Sequence, residues 1–282
     1  MPELKNILVT TDFSPASLVA VHYAAAWAKA SGAALYIANF VRPIELGMAA
    51  GIGSGVNIDL LMASAHRGLE AIAAGPLLHG ITFSTLVREA EVGDGLLALT
   101  SELHLDLVVS ASAGRRGLGK LLIGSTAEVI FRRSLCPVLL LGPGIEHAAI
   151  PPVRRILFAT DFGPAAPAAA VYAARLARDW SASLRLLHVL PPPASESGLH
   201  AVADSEARLR QLAPASAAVI SVEAAFGSPA ETIVAQAAAE HSDLILLGAR
   251  PLPPASLFSG WATAYQVLCT AHCPVLTVHG AA

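Results

Sequence analysis

The chain has 282 residues, of which 54% are hydrophobic and 14% are charged, and its formal net charge is −3. This composition favours a large buried core and excludes a chain that is disordered throughout. The slightly negative charge gives no sign of a nucleic-acid-binding surface, and the length is sufficient for two domains of ordinary size.

Cysteine usage and hydropathy indicate where the protein works. The 3 cysteines form neither a C-x-x-C motif nor a paired disulfide framework, which is typical of a protein in a reducing cytosol. The first residues lead directly into an apolar run without a signal-peptide pattern. The longest apolar stretch, 16–28, is interrupted by His22 and is too short to span a bilayer. We therefore expect a cytoplasmic protein with no membrane or nucleic-acid partner.

Apolar runs alternate with helical patterns along the first half of the chain, and they predict five strands separated by four helices. This alternation is typical of a parallel, doubly wound α/β sheet with right-handed crossovers. The strands are predicted at Ile7–Thr10, Leu35–Phe40, Thr82–Val87, Leu105–Ser110 and Val138–Leu141, and the helices at Pro15–Ala30, Ile58–Leu78, Asp94–Leu103 and Ser125–Arg133.

Three helices carry start signals in the sequence. Ser14 stands before a proline, as an N-cap residue does before a proline at the first helical position. Ser125 with Glu128, and Ser228 with Glu231, have the spacing of a capping box. These signals predict where the three helices begin.

The second half of the chain repeats the first. The segment 5–43 begins KNILVTTDFSP and the segment 154–192 begins RRILFATDFGP, so that Asp12 corresponds to Asp161. Further on, DLVVSAS at 106–112 corresponds to DLILLGA at 243–249. CPVLLL at 136–141 likewise corresponds to CPVLTV at 273–278. We interpret the chain as a duplicated domain.

The two copies are predicted to occupy residues 1–143 and 153–282, joined by a linker rich in Pro, Gly and Ala. Each copy ends in an apolar strand, at Pro137–Leu141 and Pro274–His279. These two strands would be able to pair antiparallel within one chain.

A glycine-rich loop lies between the fourth predicted strand and the helix at Ser125. This arrangement places an anion at a helix N-terminus, where backbone N–H groups lack partners, and glycine lets the backbone come close to a phosphate. The stretch from Gly114 to Lys120 nearly matches a P-loop, but Leu121 stands where the Mg²⁺-binding Ser or Thr would be. A true P-loop is therefore not predicted.

The loop resembles the nucleotide motif of the universal stress protein family, Gly-x2-Gly-x9-Gly-Ser/Thr. Gly114 and Gly124-Ser125 match it, while Ala111 stands where the family usually has glycine. TTDFSP, ATDFGP and both CPV strands are also similar to the family, so the resemblance covers nearly the whole chain. It implies two five-stranded parallel sheets of order 3-2-1-4-5, with the adenine nucleotide α-hydrolase-like fold. It also implies binding of ATP and dimers that pair through the last strand. Whether Mg²⁺ accompanies the nucleotide is left open.

Carried over by position, the resemblance implies ten nucleotide-binding residues in the first copy. Asp12 would approach the adenosine, the two residues that end the second strand would flank adenine, and the loop glycines would wrap the phosphates. The residues at the helix start would offer N–H and hydroxyl donors, and Arg115 would add positive charge. The ten residues are Thr11, Asp12, Phe40, Val41, Gly114, Arg115, Gly117, Gly124, Ser125 and Thr126.

Each of these roles has an ordinary structural alternative that the sequence leaves open. Asp12 and Ser125 would also fit as helix caps. Phe40 would also fit as a core residue, and Arg115 as part of a solvated loop face.

The second copy departs from the motif. Its positions for the two loop glycines, the helix-start glycine and the serine hold Pro251, Pro254, Trp261 and Ala262. Proline removes N–H donors, and an indole would fill space that phosphates need. We therefore expect ATP to bind in the first copy and the second copy to act as a structural pseudo-dimer partner, although Thr160, Asp161 and Val189 remain.

The predicted function is that of a stress-response protein that binds ATP or a related adenine nucleotide in its first domain. The alternative is a scaffold or regulatory protein of the same family that works without nucleotide. An enzyme is not predicted, because the chain has no G-x-S-x-G elbow, paired-carboxylate motif or metal-ligand cluster. Slow ATP hydrolysis stays open, with Asp12 as the one acidic candidate near the proposed site. Association of two chains into a homodimer also stays open.

Overall fold

The computed structural model describes residues 4–42, 58–112, 124–145, 150, 152–192, 198–213, 219–249 and 261–279, without the side chains of 198, 199, 219, 220, 261 and 262.

The first half of the chain contains the five strands and four long helices predicted from its sequence. They are β1 Asn6–Thr10, α1 Pro15–Ser31, β2 Ala34–Val41, α2 Ile58–Ala73, β3 Phe83–Glu89, α3 Val92–Leu103, β4 Leu107–Ala111, α4 Ser125–Arg133 and β5 Val138–Leu141. The second helix was predicted to run to Leu78, which is too long. The observed α2 ends at Ala73, before Gly75 and Pro76, and Pro76–Leu78 forms a separate 3-10 turn.

The second half repeats this order of elements. They are β6 Arg155–Ala159, α5 Ala166–Asp179, β7 Ser183–Leu190, α6 Gly198–Leu212, β8 Val219–Phe226, α7 Pro229–Ala239, β9 Leu244–Ala249, α8 Trp261–Thr270 and β10 Val275–His279.

The ten strands form one continuous sheet in the order β3-β2-β1-β4-β5-β10-β9-β6-β7-β8. Each half is parallel and has the predicted order 3-2-1-4-5. β5 and β10 pair antiparallel, with Leu139 opposite Leu276. The predicted fold class and the predicted pairing of the last strands are both confirmed.

Helices cover both faces of the sheet. Alternate strand residues point into two core clusters, one against α1, α2, α5 and α6 and the other against α3, α4, α7 and α8. Ile7 and Val9 enter the first cluster and Leu8 the second. Strands buried on both faces read as continuous apolar runs, which is the pattern seen in the sequence. None of the described helices is long and apolar enough to cross a membrane.

The first helix begins as predicted, whereas the capping box at Ser228 is not formed. The Ser14 side chain accepts a hydrogen bond from the backbone N–H of Ser17 at 3.3 Å, as an N-cap residue should. Ser228 occupies the N-cap position of α7, but its side chain makes no cap hydrogen bond.

The two halves meet at a seam, which we define as the β5–β10 pair together with the side chains packed around it. Trp27 of α1 lies edge-on to Trp180, which follows α5, with the ring centroids 4.4 Å apart. The end of each of these two strands also contacts the other half of the chain. Gly142, which follows β5, lies against the end of α8. His279 of β10 lies near the backbone of Phe131 and Cys136 in the first half.

The seam contains a histidine that makes stability depend on pH. The Nδ1 atom of His279 is buried and has no hydrogen-bond partner in the described part of the chain. Burial lowers the pKa of His279 below the ordinary value of 6.5, and the nearby backbone of Cys136 and Phe131 offsets only part of this effect. As the pH falls, His279 therefore takes up a proton in the unfolded chain before it does so in the folded chain. Its contribution to stability is complete above about pH 6.5 and decreases below that pH.

We expect His279→Gln to reduce the loss of unfolding free energy between about pH 7.5 and about pH 5, as measured by urea denaturation. His66→Gln is the control, because His66 is exposed on α2, remote from the seam in sequence. An equal change in pH dependence in both variants would contradict the assignment to His279.

Candidate functional site

The carboxyl ends of β1, β2 and β4 meet at one edge of the first half, where the strand order reverses. Such a reversal is the usual position of a ligand crevice in a doubly wound sheet. The N–H of Thr11 donates to the carbonyl of Ala38 at 2.9 Å, and the Asn39 side chain donates to the carbonyl of Thr11 at 2.7 Å. These bonds fix the end of β1 against the end of β2.

A tight turn presents Asp12 at this edge. The Thr11 hydroxyl accepts the N–H of Phe13 at 3.0 Å, and Asp12 Oδ1 accepts the N–H of Ser14 at 3.0 Å. Phe13 has a φ of 64°, an uncommon conformation for a bulky side chain that these bonds hold in place. Because the cap of α1 is Ser14, Asp12 is not the helix cap that the sequence left open.

The same bonds keep Asp12 ionised. Partial burial opposes ionisation, but hydrogen bonds from Ser14 and Ser17 outweigh it, so the pKa of Asp12 lies below its ordinary value. The side chain is nevertheless exposed. An exposed carboxylate of lowered pKa is a hydrogen-bond acceptor at neutral pH.

Five hydroxyl side chains lie beneath this edge, and each is at most 8% exposed. We call them the hydroxyl cradle: Thr10, Thr11, Ser17, Ser110 and Ser112. Thr10 donates to Ser110 Oγ at 3.3 Å, and the hydroxyls of Thr11 and Ser17 lie 3.0 Å apart. Sequence reasoning identified only Thr11, although the hydroxyl residues that end two apolar strands were a usable signal.

The start of α4 is joined to the end of β4. The N–H of Gly124 donates to the Ser112 hydroxyl at 3.2 Å, so Gly124 lies next to the residue that follows β4. Gly124 is the N-cap residue of α4 and supplies no side-chain cap. The first turn of α4 therefore keeps N–H groups that no N-cap side chain satisfies.

The capping box predicted at Ser125 is wrong. Ser125 is the first residue within α4 rather than its cap, and Glu128 forms an ion pair with Arg132 at 2.9 Å instead of reaching back. Ser125 and Thr126 are both exposed at the helix start. Their hydroxyls are thus presented to solvent at the edge where the sequence placed them.

Phe40 and Val41 end β2, as predicted, but their side chains point to opposite faces of the sheet. Val41 is buried in the cluster against α1 and α2. Phe40 is half-buried on the other face and packs against Gly95, where an added methyl group would collide with the ring. A hollow of about 330 Å³ lies beside them, with Phe13, Asn39 and Arg42 among its lining residues.

The structure thus brings seven of the ten predicted residues to one edge, from β1, β2 and α4. Gly114, Arg115 and Gly117 lie outside the described residues, as does the loop of the second half that contains Pro251 and Pro254. Trp261 begins α8, but its side chain lies outside the description as well. Among the residues that are described, no group of three His, Cys, Asp or Glu side chains is placed to hold a metal ion.

The second half keeps the turn of the first. Asp161 Oδ1 accepts the N–H of Gly163 at 2.7 Å, and the Thr160 hydroxyl accepts the N–H of Phe162 at 3.0 Å. At the position of Asn39 stands His188, whose Nδ1 donates to the carbonyl of Thr160 at 2.8 Å. The backbone geometry of this edge is therefore common to both halves.

The hydroxyl cradle is not repeated in the second half. Thr160 corresponds to Thr11, but the positions of the four other hydroxyl residues hold Ala159, Ala166, Leu247 and Ala249. These four side chains are all buried. The two edges therefore share a shape but differ in chemistry.

Comparisons with known proteins agree with the fold and the repeat. The model of the universal stress protein family matches residues 3–142 and 152–279. A universal stress protein of Methanocaldococcus jannaschii is 28% identical over 139 residues, which cover 49% of this chain and 81% of that protein. A universal stress protein A homologue of Coxiella burnetii is 30% identical over 145 residues, covering 48% and 94% respectively.

Among solved structures, a universal stress protein from Archaeoglobus fulgidus has the same fold over the full length. Its TM-score is 0.75 at 19% identity, covering 99% of this chain and 100% of that one. Because the family model matches both halves of a sheet built twice in the order 3-2-1-4-5, the chain belongs to the universal stress protein family and carries two of its domains in tandem.

Proposed function

We propose that the protein binds ATP or a related adenine nucleotide at the carboxyl edge of its first half, with the second half as its structural partner. The observation that carries this proposal is the bond between Gly124 N–H and Ser112 Oγ. It brings a helix N-terminus without a side-chain cap to the crevice where the strand order reverses. Backbone N–H groups at such an N-terminus favour phosphate oxygens.

The surrounding residues suit the other parts of a nucleotide. Ser125 and Thr126 would donate hydroxyl hydrogen bonds to phosphate, next to the N–H groups of the first turn of α4. Asp12, ionised at neutral pH, would accept hydrogen bonds from the adenosine part. Phe40 and the hollow beside it offer an apolar surface for a base, with Arg42 at its wall. Bound nucleotide would supply the negative phosphate charge that these donors would hold.

The role of the second half rests on the seam. Antiparallel pairing of β5 with β10 gives the first domain, within one chain, the partner surface that a single-domain relative would need a second molecule to supply. The second half lacks four of the five cradle hydroxyl groups at equivalent positions, which supports a structural rather than a phosphate-binding role.

A matched pair of variants tests the proposal by isothermal titration of ATP. Thr126→Val removes an exposed donor at the start of α4, and Thr263→Val makes the same change at the equivalent position of α8. Because a hydrogen bond to a charged group contributes about 1.5–3 kcal/mol, Thr126→Val should weaken ATP binding about tenfold or more. Thr263→Val should leave the affinity unchanged.

Two results would overturn this function. One is the absence of ATP binding by the unmodified protein at millimolar nucleotide, which would favour the nucleotide-independent scaffold. The other is an equal loss of affinity in both variants, which would place the nucleotide in both halves. Circular dichroism of each variant controls for folding.

A further inference from the structure

The aromatic ring of Phe13 lies directly against Gly68 in the middle of α2. A methyl group added at Gly68 would lie 2.6 Å from two carbon atoms of the ring and 2.9 Å from a third. The ring therefore occupies the space that a side chain at position 68 would need. We call this gap in the surface of α2 the Gly68 notch.

The notch acts on the turn that presents Asp12. Phe13 follows Asp12 in that turn, and its φ of 64° is held by the hydrogen bond from its N–H to the Thr11 hydroxyl. Because the backbone of the turn is fixed in this way, the helix beside the Phe13 ring sets where the ring can lie. Glycine inside a helix is unfavourable, and contact with the ring gives a reason for one at this position.

The second half has no such notch. α6 corresponds to α2, and the buried Leu209 stands at the position of the buried Leu69. Arg208 therefore takes the position of Gly68. The duplication thus offers the same turn next to a helix with a long side chain at this point.

Arg208 changes the packing of the phenylalanine in the turn. Its guanidinium lies over the ring of Phe162, with the central carbon 3.9 Å from the ring centroid. The same ring lies against His188 at a centroid distance of 4.5 Å. A ring and a side chain cannot share the space above position 68 or 208, so the phenylalanine and the helix are arranged differently in the two halves.

The position of the Phe13 ring matters for the hollow at the end of β2. Phe13 and Phe40 are both among the residues that line this hollow, together with Ala65 of α2. Because the notch holds the Phe13 ring against α2, the ring forms a wall of the hollow instead of filling it. Aromatic walls suit a purine base, which stacks on rings.

We infer that Gly68 is a positioning residue for the base of the nucleotide. It acts through Phe13, by leaving room for the ring, and not by contact with the ligand. This inference rests on the proposed function and extends it, because it makes recognition of the base depend on α2. Recognition of the phosphates depends instead on the start of α4.

Titration of the full chain with adenosine and with inorganic tripolyphosphate separates the two ends of the nucleotide. In Gly68→Ala the added methyl group should displace the ring and weaken adenosine and ATP binding about tenfold, as removal of base–aromatic stacking does. Tripolyphosphate has no base, so the variant should bind it as the unmodified protein does. Alanine favours a helix more than glycine does, so weaker binding would not result from a less stable α2.

Two further variants identify the contact. Gly144→Ala adds a methyl group that would meet no atom of the described chain within 4 Å, and it should bind adenosine as the unmodified protein does. In a chain that already carries Phe13→Ala there is no ring to displace. Gly68→Ala should then weaken adenosine binding no further, so the two losses should not be additive.

Failure of this inference is distinguishable from failure of the proposed function. If Gly68→Ala leaves ATP and adenosine binding unchanged, or if the two losses are additive, the inference is overturned while the proposed function stands. Weaker tripolyphosphate binding by Gly68→Ala would also overturn it, because the variant would then disturb the phosphate end. Adenosine binding that depends on Gly68 in a protein that does not bind ATP would keep the inference and overturn the proposed function. Absence of binding of both compounds would overturn both.

Discussion

Replacement of Trp27 by alanine is expected to lower the free energy of unfolding by about 3–5 kcal/mol, the usual cost of removing a large buried aromatic side chain. Trp27 is only 4% exposed, and its ring meets that of Trp180 at a centroid distance of 4.4 Å and an interplanar angle of 84°. The variant leaves a void between α1 and the end of α5, on the face of the sheet that both halves share. Urea denaturation followed by circular dichroism would measure the loss.

A double-mutant cycle shows whether this loss belongs to the contact between halves. Trp180→Ala and the double variant complete the cycle with Trp27→Ala, and an edge-to-face ring pair contributes about 0.5–1.5 kcal/mol beyond its buried area. Additive losses would mean that the two rings stabilise their own halves separately. We expect a coupling energy in the stated range and one cooperative transition for the unmodified chain.

Gly142→Ala is expected to destabilise the chain by about 1–3 kcal/mol, as overpacking of a tight contact does. A methyl group at Gly142 would lie 2.5 Å from the carbonyl oxygen of Leu268, near the end of α8. That oxygen belongs to the helix backbone, so relief requires β5 and α8 to move apart across the seam. Thermal unfolding monitored by circular dichroism would detect the change.

Gly144→Ala is the matched control two residues further along. A methyl group at Gly144 would meet no atom of the described chain within 4 Å. Its effect should be neutral or stabilising by up to about 1 kcal/mol, through the lower entropy of the unfolded chain. Equal destabilisation by both substitutions would show that the close approach at Gly142 is not what matters.

The sheet could be predicted because its strands are buried on both faces. Runs such as 107–109 and 138–141 are apolar throughout, and in a chain that also repeats itself this pattern favours parallel strands. The antiparallel pairing of β5 and β10 followed from the duplication and the family resemblance. The end of α2 was misplaced because the helical pattern continues past Gly75 to Leu78.

The chemistry of the site was less accessible from local patterns. Thr10 and Ser110 can be recognised as hydroxyl residues at the ends of apolar runs, but they are 100 residues apart, so the neighbouring sequence does not show that they contact each other. The box at Ser125 failed for a related reason, since α4 is capped one position earlier by Gly124, whose N–H is taken by Ser112. Both features are decided by hydrogen bonds between elements of the fold that the local sequence does not reveal.

Antiparallel pairing of β5 with β10 inside a single polypeptide has an evolutionary consequence. In a homodimer every mutation is inherited by both subunits, so neither surface can change without the other, and assembly weakens on dilution. Covalent linkage removes both restrictions, because the halves stay at a fixed effective concentration whatever the abundance of the protein. One half can therefore change its ligand chemistry while the other half keeps the original ligand chemistry.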